Sequence, residues 1–598
     1  MTSFETSNAH RQPTFAHLCL LFVFSVFLSG PLLTRGIPDL SHDGVSHAIR
    51  QVSYSNQLWH GEWYPRWLSN SNIGLGSPTF FFYPAVPSYA ASVFYPLLSP
   101  RDPDGWLQAG FGCALAIVLS AFTAYFWLRS VARPTAALSG AAVYVLAPYH
   151  LTIDTYARGA AAELWSFVWL PLILLSIIRI REGYRGATSA LAVVFALLAL
   201  SHLPTLICFT PVIVAATLFP SGAGPSHAST TTPSRTSIFR VFTGLFIGTG
   251  LSALYIAPAL LDRSKVNVSQ FVSDLYNFRR YWLYPDSGVN LKFSVLLLAT
   301  TFSTVFFIAI LYAALRGRSS PQRREAMFYL GVGIFGLVFM TQLSYPFWRY
   351  VPFLSNVSFP WRFGTLLVVS AAALSALAFD QLKKATRPVA AVLAAIVVSW
   401  FGCVGFAAWR QYSPSHSTPL PTDNRTLVTF HPDLCEFWPS TAVPGQACAE
   451  SVASRVQLLQ GALAGRSPKS ILIEGQQTGA PASATLLSWQ PRKVIIAVNA
   501  SEQSRLTLMH FYYPDWHSHL EGSSELLNLH ASPVEGFLQA DIPQGQYHLV
   551  VELVAGRAER AGLIVSLGSL ILLIGLTVFD YKLARTPKAG RIDQPVFA

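Results

Sequence analysis

The sequence predicts a polytopic α-helical membrane protein of about a dozen spans, with a β-sandwich-like extracytoplasmic domain near its C-terminus. Three observations predict it: a poverty of charge, a succession of apolar runs of membrane length, and basic loops between alternate pairs of runs. Of 598 residues, 52% are hydrophobic and 12% charged, and the mean hydropathy is +0.41. Soluble domains are roughly 25% charged. So little polar surface cannot cover a chain of this length in water, and lipid is its natural solvent. The formal net charge of +12 does not mark a nucleic-acid binder, because the basic residues are scattered in short loops and form no stripe.

Apolar runs long enough for the hydrocarbon core fall at 16–34, 106–128, 134–152, 161–178, 186–203, 238–260, 293–315, 326–343, 363–379, 388–409 and 561–579, with a shorter run at 205–219. The first has no small-residue cleavage site after it and reads as an uncleaved span. With the N-terminus in the cytoplasm, the inside loops carry Arg129 and Arg133, then Arg179, Arg181 and Arg185, then Arg235 and Arg240. Arg316, Arg318, Arg323 and Arg324 follow, then Lys383, Lys384 and Arg387, then Lys582, Arg585, Lys588 and Arg591 in the tail. Every inside loop is thus basic, as the positive-inside rule requires, and both termini are cytoplasmic. One outside loop, 261–292, runs against the rule with Arg263, Lys265, Arg279 and Arg280.

The chain divides into a transmembrane domain (1–409, with a first outside loop at 35–105), an extracytoplasmic β-rich domain (410–560), and a last span with its tail (561–598). In the first loop, 78–98 is aromatic but broken by Pro84, Pro87 and Pro96, and reads as an interfacial or re-entrant helix. A second outside segment is a short turn at 150–162. In the third, strand-like stretches at 470–474, 493–498, 505–512 and 547–553 alternate with turn residues, which favours a β-sandwich. The stretch 221–237 reads as a flexible cytoplasmic linker. Cys19, Cys113, Cys208 and Cys403 lie in apolar runs, whereas Cys435 and Cys448 lie in a polar region outside the cytoplasm and are expected to pair as a disulfide.

Ionisable residues near the membrane gather in the outside loops. In DGVSHAIR (43–50), a helix would put Asp43, His47 and Arg50 on one face. An acid, an imidazole and a guanidinium together could activate a hydroxyl and hold a phosphate; the same residues also read as a helix N-cap and interfacial filler. In PYHLTIDTYARGAAAE (148–163), Arg158 stands with Asp154 and Glu163. Glu163 opens an apolar helix, where the dipole alone would favour an acid, or it faces the same cavity as Asp43. His202 in SHLPT either satisfies backbone freed by Pro204 or joins that site. Arg362 in SFPWRF opens a span from the outside, where an anion or a lipid headgroup would hold it. The spans hold almost no charge at mid-depth, which disfavours an ion-coupled transporter. No phosphate loop or nucleotide-binding glycine motif is present.

Several motifs together resemble a known group. DxxxHAxR (43–50), YPRW (64–67), GxGSP (74–78) and the FYP ending at Pro84 are similar to the first loop of bacterial membrane proteins grouped as related to 6-pyruvoyl-tetrahydropterin synthase. APY (147–149), YxRG (156–159), Glu163, SHLP (201–204) and FPWRF (359–363) continue the resemblance, and YYPDW (512–516) with PQG (543–545) extends it into the β domain. The chain shares nothing with the small soluble zinc synthase itself. The same order of motifs resembles the YfhO-like group, and both resemble the GT-C class of integral-membrane glycosyltransferases.

The resemblance implies transfer of a sugar from a polyprenyl-phosphate donor to an extracytoplasmic glycan, lipid or protein acceptor at a bacterial inner membrane. It implies catalytic roles for Asp43 and Glu163, and substrate binding by His47, Arg50, Arg66, Tyr156, Arg158, His202 and Arg362. The first loop has no Asp-x-Asp pair, so no metal is indicated, and Asp515 stands where the group often has Gly. A non-catalytic envelope scaffold and a lipid or polysaccharide transporter are the competing readings.

Overall fold

The computed structural model describes residues 15–219, 233–267, 277–284, 290–315, 320–381, 387–412, 435–442, 452–475 and 482–585. Cys448 lies outside them, and with it the expected pairing to Cys435. Most of the expected linker does too, although its last residues, from Arg235, already form a helix capped by the Ser234 side chain.

Each apolar run is helical, but not every helix is long enough to span. Among the described residues, six helices are long and apolar enough to cross a membrane, or up to eight if each bent pair is one span. The expectation of about a dozen is therefore not reached on length and apolarity. The reason is local. Phe15–Leu28, Ala187–Ala199 and Leu203–Leu218 are short apolar helices. Arg235–Leu251 and Ala253–Leu261 meet at 65°, and Gln322–Phe339 and Gln342–Tyr350 at 87°. The 65° bend is held by the last helix, Arg557–Arg585: Ser566 Oγ accepts from Leu254 N at 2.8 Å and donates to Leu251 O at 3.0 Å. That last helix leaves Leu563, Ile564, Ile571, Leu572 and Phe579 exposed, as suits a helix facing lipid.

The aromatic stretch of the first loop is no span. It forms three short helices, Thr79–Phe82, Val86–Ser92 and Tyr95–Leu98; Pro84 stands in the first break, and Pro87 and Pro96 lie in the first turns of the second and third. The expected turn at 150–162 is a correction. Pro134–Leu146 passes through Pro148 into a wide helical segment, Tyr149–Arg158, with bonds of the i→i+5 type. Such segments are rare and frequent at functional sites.

Among the described residues, the β region is a two-sheet, all-antiparallel structure of nine strands: β1 Ile471–Gly475, β2 Ala482–Gln490, β3 Lys493–Ala500, β4 Ser504–Phe511, β5 Trp516–Leu520, β6 Leu526–Leu527, β7 Leu529–Ala531, β8 Phe537–Ile542 and β9 Gly545–Leu553. The orders are β1-β4-β8-β7 and β2-β3-β9-β5-β6. Val494, Ile496, Val498 and Ala500 alternate inward along β3, as a half-buried strand should. In β4, by contrast, seven residues of eight are buried, on both faces.

The first outside loop covers the second face of β4. Trp67, Ile73, Leu75 and Phe81 belong to the same hydrophobic core as the β strands. Phe511 N donates to Leu75 O at 2.7 Å, and Trp67 Nε1 donates to His510 Nε2 at 3.0 Å. The YPRW tryptophan also meets Tyr513 and Trp516 of YYPDW, at ring separations of 5.9 and 5.7 Å. Gly76 makes this approach possible: a Cβ there would stand 2.4 Å from the Trp67 ring and 2.7 Å from His510.

Two of the four basic residues that run against the expected positive-inside pattern, Lys265 and Arg279, are paired within the protein. Lys265 Nζ lies 2.7 Å from Asp515 and 3.0 Å from Asp262. Arg279 Nη2 donates to Tyr345 Oη at 2.8 Å.

Candidate active site

Asp43 stands just before the helix Gly44–Trp59 and makes no side-chain cap bond. The first loop instead docks by its backbone onto the wide helical segment: Asp43 N donates to Arg158 O at 2.7 Å, and His42 N to Ala157 O at 3.3 Å. Gly159 permits this contact. It adopts φ +62°, and a Cβ there would press within 3.2 Å of Gly44 and 2.5 Å of Ser41 Oγ. The docking sets the Asp43 carboxylate 3.5 Å from Arg158 Nη2.

Arg158 is the hub of a buried charge network. Its Nη1 lies 2.6 Å from Asp154 and 2.6 Å from Glu163 Oε2. Glu163 Oε2 also meets Arg362 Nε at 3.3 Å, and Oε1 accepts from Tyr149 Oη at 2.8 Å. Arg362 is further anchored by donation from Nη1 to Val357 O at 2.6 Å. Three carboxylates thus face two guanidinium groups, and the two acids expected to be catalytic differ sharply. The Glu163 side chain is fully buried and saturated with donors, whereas the Asp43 side chain is 41% exposed.

Of these, Asp43, Arg158, Glu163 and Arg362 line one cavity of about 230 Å³, together with His47, Arg50, Tyr83, His202 and Phe437. Asp43, His47 and Arg50 do share a helix face, as their spacing predicts. His202 caps the helix Leu203–Leu218: its Nδ1 lies 2.7 Å from Thr205 Oγ1 and accepts from Thr205 N at 3.4 Å. Burial holds the His47 imidazole down to about 4, against the opposing pull of Asp43, so it is neutral at pH 7. Three helices begin at the cavity, Gly44–Trp59, Ala161–Arg181 and Leu203–Leu218. Helix N-termini carry partial positive charge and favour anions. The arrangement offers an accessible carboxylate beside an anion-stabilising wall of arginines and helix ends.

Two residues expected at the site lie elsewhere. Arg66 is drawn to the last helix and the bend, with Nε 3.2 Å from Glu559 and Nη2 donating to Leu254 O at 2.9 Å. Tyr156 is turned by the i→i+5 winding toward the first helix, where its hydroxyl donates to Leu28 O at 2.6 Å. Conversely, Glu436 and Phe437 line the cavity without any sequence signal, because they stand far along the chain in a region read only as β-rich. Tyr149, to which the sequence assigns no role, is brought to Glu163 by its hydroxyl. Among the described residues, no group of three or more His, Cys, Asp or Glu is placed to hold a metal ion.

No family model and no curated protein matches the sequence. Solved structures give partial likenesses. A mycobacterial arabinofuranosyltransferase, AftD, aligns with a TM-score of 0.43 at 17% identity, over 66% of this chain and 28% of its own. ArnT from Cupriavidus metallidurans, bound to undecaprenyl phosphate, aligns at 0.40 and 13% identity, over 66% and 69%. The Archaeoglobus fulgidus oligosaccharyltransferase aligns at 0.39 and 12% identity, over 69% and 59%. The chain therefore spans little more than a quarter of AftD, and none of these three TM-scores reaches 0.5.

Proposed function

We propose that this chain is a GT-C-like glycosyltransferase that moves a sugar from a polyprenyl-phosphate donor to an acceptor on the β-domain side of the membrane. The setting would be cell-envelope glycan or glycoconjugate assembly at a bacterial inner membrane, with both termini cytoplasmic. The observation that carries the reading is the meeting of exposed Asp43 with Arg158, Arg362 and Glu163 at one cavity.

Asp43 acts as general base. The acceptor oxygen attacks the anomeric carbon, its proton passes to the Asp43 carboxylate, and the bond from the anomeric carbon to phosphate oxygen breaks with its electron pair on the phosphate. Arg158, Arg362 and the helix N-termini stabilise the charge that develops on the leaving polyprenyl phosphate. Glu163 touches both arginines and fixes their guanidinium groups, so its role is positioning. His47 and His202 border the reacting groups in the cavity.

The test is Asp43→Asn in an assay of polyprenyl phosphate release from a lipid-linked sugar. A positioned base contributes roughly 10²–10⁴-fold, so a loss of that order is expected. Normal turnover by Asp43→Asn refutes the assignment.

A further inference from the structure

The outside loop 261–292 is basic against the positive-inside pattern, and its two paired residues differ in their partners. Lys265 meets two carboxylates. Arg279 meets a neutral group: its Nη2 donates to Tyr345 Oη at 2.8 Å, and its guanidinium stands 5.2 Å from the centre of that ring. Arg349 Nη1 donates to the same oxygen at 3.2 Å, and its guanidinium stands 5.5 Å from the Tyr350 ring. Two exposed guanidinium groups thus converge on one hydroxyl. Among the described residues, no carboxylate forms an ion pair with either. A phenol oxygen that accepts from both arginines has its own proton left to donate. The cluster therefore offers donors and positive charge, a combination that suits an anionic oxygen.

The short helix Tyr345–Tyr350 places these groups. The segment Gln342–Tyr350 turns 87° from the apolar helix Gln322–Phe339. A segment at nearly a right angle to a membrane-crossing helix runs along the membrane surface. Its inner side is fixed by Trp348, which is buried 5.2 Å from the Phe278 ring and 5.9 Å from the Phe363 ring. Phe363 follows Arg362 of the active site, so the cluster lies at the same membrane face as the cavity. Neither Arg279 nor Arg349 lines that cavity. On the outer side, Leu343, Phe347, Tyr350 and Phe353 are exposed. Water disfavours such a row of apolar side chains, whereas lipid accepts it.

We infer that Arg279, Arg349 and Tyr345 bind the phosphate of an anionic phospholipid in the leaflet beside the active-site cavity, with the exposed apolar row set among its acyl chains. The inference does not rest on the transferase reading. A soluble phosphate would meet the donors but leave the apolar row in water. A zwitterionic lipid would bring a cation beside two arginines, where like charges repel. An anionic lipid satisfies the charge and the apolar row together.

The experiment is native mass spectrometry of the full chain in detergent, titrated with phosphatidylglycerol and with phosphatidylcholine of the same acyl chains. Two basic residues at a lipid surface are together worth about tenfold or more in affinity. Wild type should therefore prefer phosphatidylglycerol by about that factor, and Arg279→Gln/Arg349→Gln should lose the preference. Arg279→Lys/Arg349→Lys keeps both charges and should retain part of it. Undecaprenyl phosphate should bind the glutamine variant as it binds wild type. Equal binding of the two phospholipids by wild type, or an undiminished preference in the glutamine variant, overturns the inference. Displacement of phosphatidylglycerol by millimolar inorganic phosphate also overturns it, because that marks a free-anion site. So does an equal loss of phosphatidylglycerol and undecaprenyl phosphate in the glutamine variant, because that marks a shared site for both lipids.

Discussion

Asp43 and Glu163 should fail in opposite ways when neutralised. Asp43 is 41% exposed and lies 3.5 Å from Arg158. At that separation the attraction is about 1 kcal/mol in water and about 5 kcal/mol at an effective dielectric of 20. A half-solvated pair sits near the lower value, so Asp43→Asn should cost about 1 kcal/mol of stability or less. Glu163 is wholly buried and meets Arg158, Arg362 and the Tyr149 hydroxyl at 2.6, 3.3 and 2.8 Å. Glu163→Gln leaves buried Arg158 and partly buried Arg362 short of a counter-charge, and breaking a buried pair costs about 3–5 kcal/mol. Arg158 retains Asp154 at 2.6 Å, which places the expected loss toward the lower end.

The assay is thermal unfolding of the full chain in nanodiscs, run beside transfer activity. Asp43→Asn should unfold close to wild type and transfer poorly, and Glu163→Gln should unfold at a clearly lower temperature. Equal destabilisation by both variants, or a Glu163→Gln protein as stable and active as wild type, would refute the division of roles.

Three further predictions follow from other parts of the molecule. Gly76→Ala forces a Cβ against Trp67 and His510 at φ +89° and should destabilise the loop–β-domain contact by about 2–4 kcal/mol, read as faster limited proteolysis. Burial raises the Glu62 carboxyl from 4.5 to about 7, with Arg492 opposing. Between those values the folded state holds the extra proton, so this contribution is full below pH 4.5 and lost as pH rises through 7, up to about 3 kcal/mol. Unfolding temperatures of Glu62→Gln at pH 5 and 8 should differ less than those of wild type, and an equal difference refutes it. In a background without native cysteines, Ser523→Cys in the β domain should react with an impermeant maleimide in intact cells, and Glu182→Cys only after permeabilisation; the reverse pattern refutes the proposed orientation.

Composition and apolar period were enough to predict a helical membrane protein, because the cost of exposing apolar surface to water is written in every residue of a span. Strand alternation likewise showed the β region at 493–498 and 547–553, since a half-buried strand needs that period. The spacing of Asp43, His47 and Arg50 predicted their common face, because helical geometry is local. Span number was less legible. The bend at Ser252 depends on Ser566, far later in the chain, whose hydroxyl takes up backbone groups freed there.

Only the tertiary structure decided how the acids divide their roles. Asp43 and Glu163 look alike in sequence, and their difference lies in exposure and in the donors that folding brings to one and not the other. It also decided that Arg66 and Tyr156 leave the site, Arg66 because Glu559 and the Leu254 carbonyl hold it at the last helix and the bend, Tyr156 because the i→i+5 segment turns its side chain toward Leu28. Finally, it decided that Glu436 completes a cavity begun by Asp43. Contacts between residues nearly four hundred positions apart arise from packing energies that no local pattern records, because the partner surface exists only once the first loop and the β domain share a core.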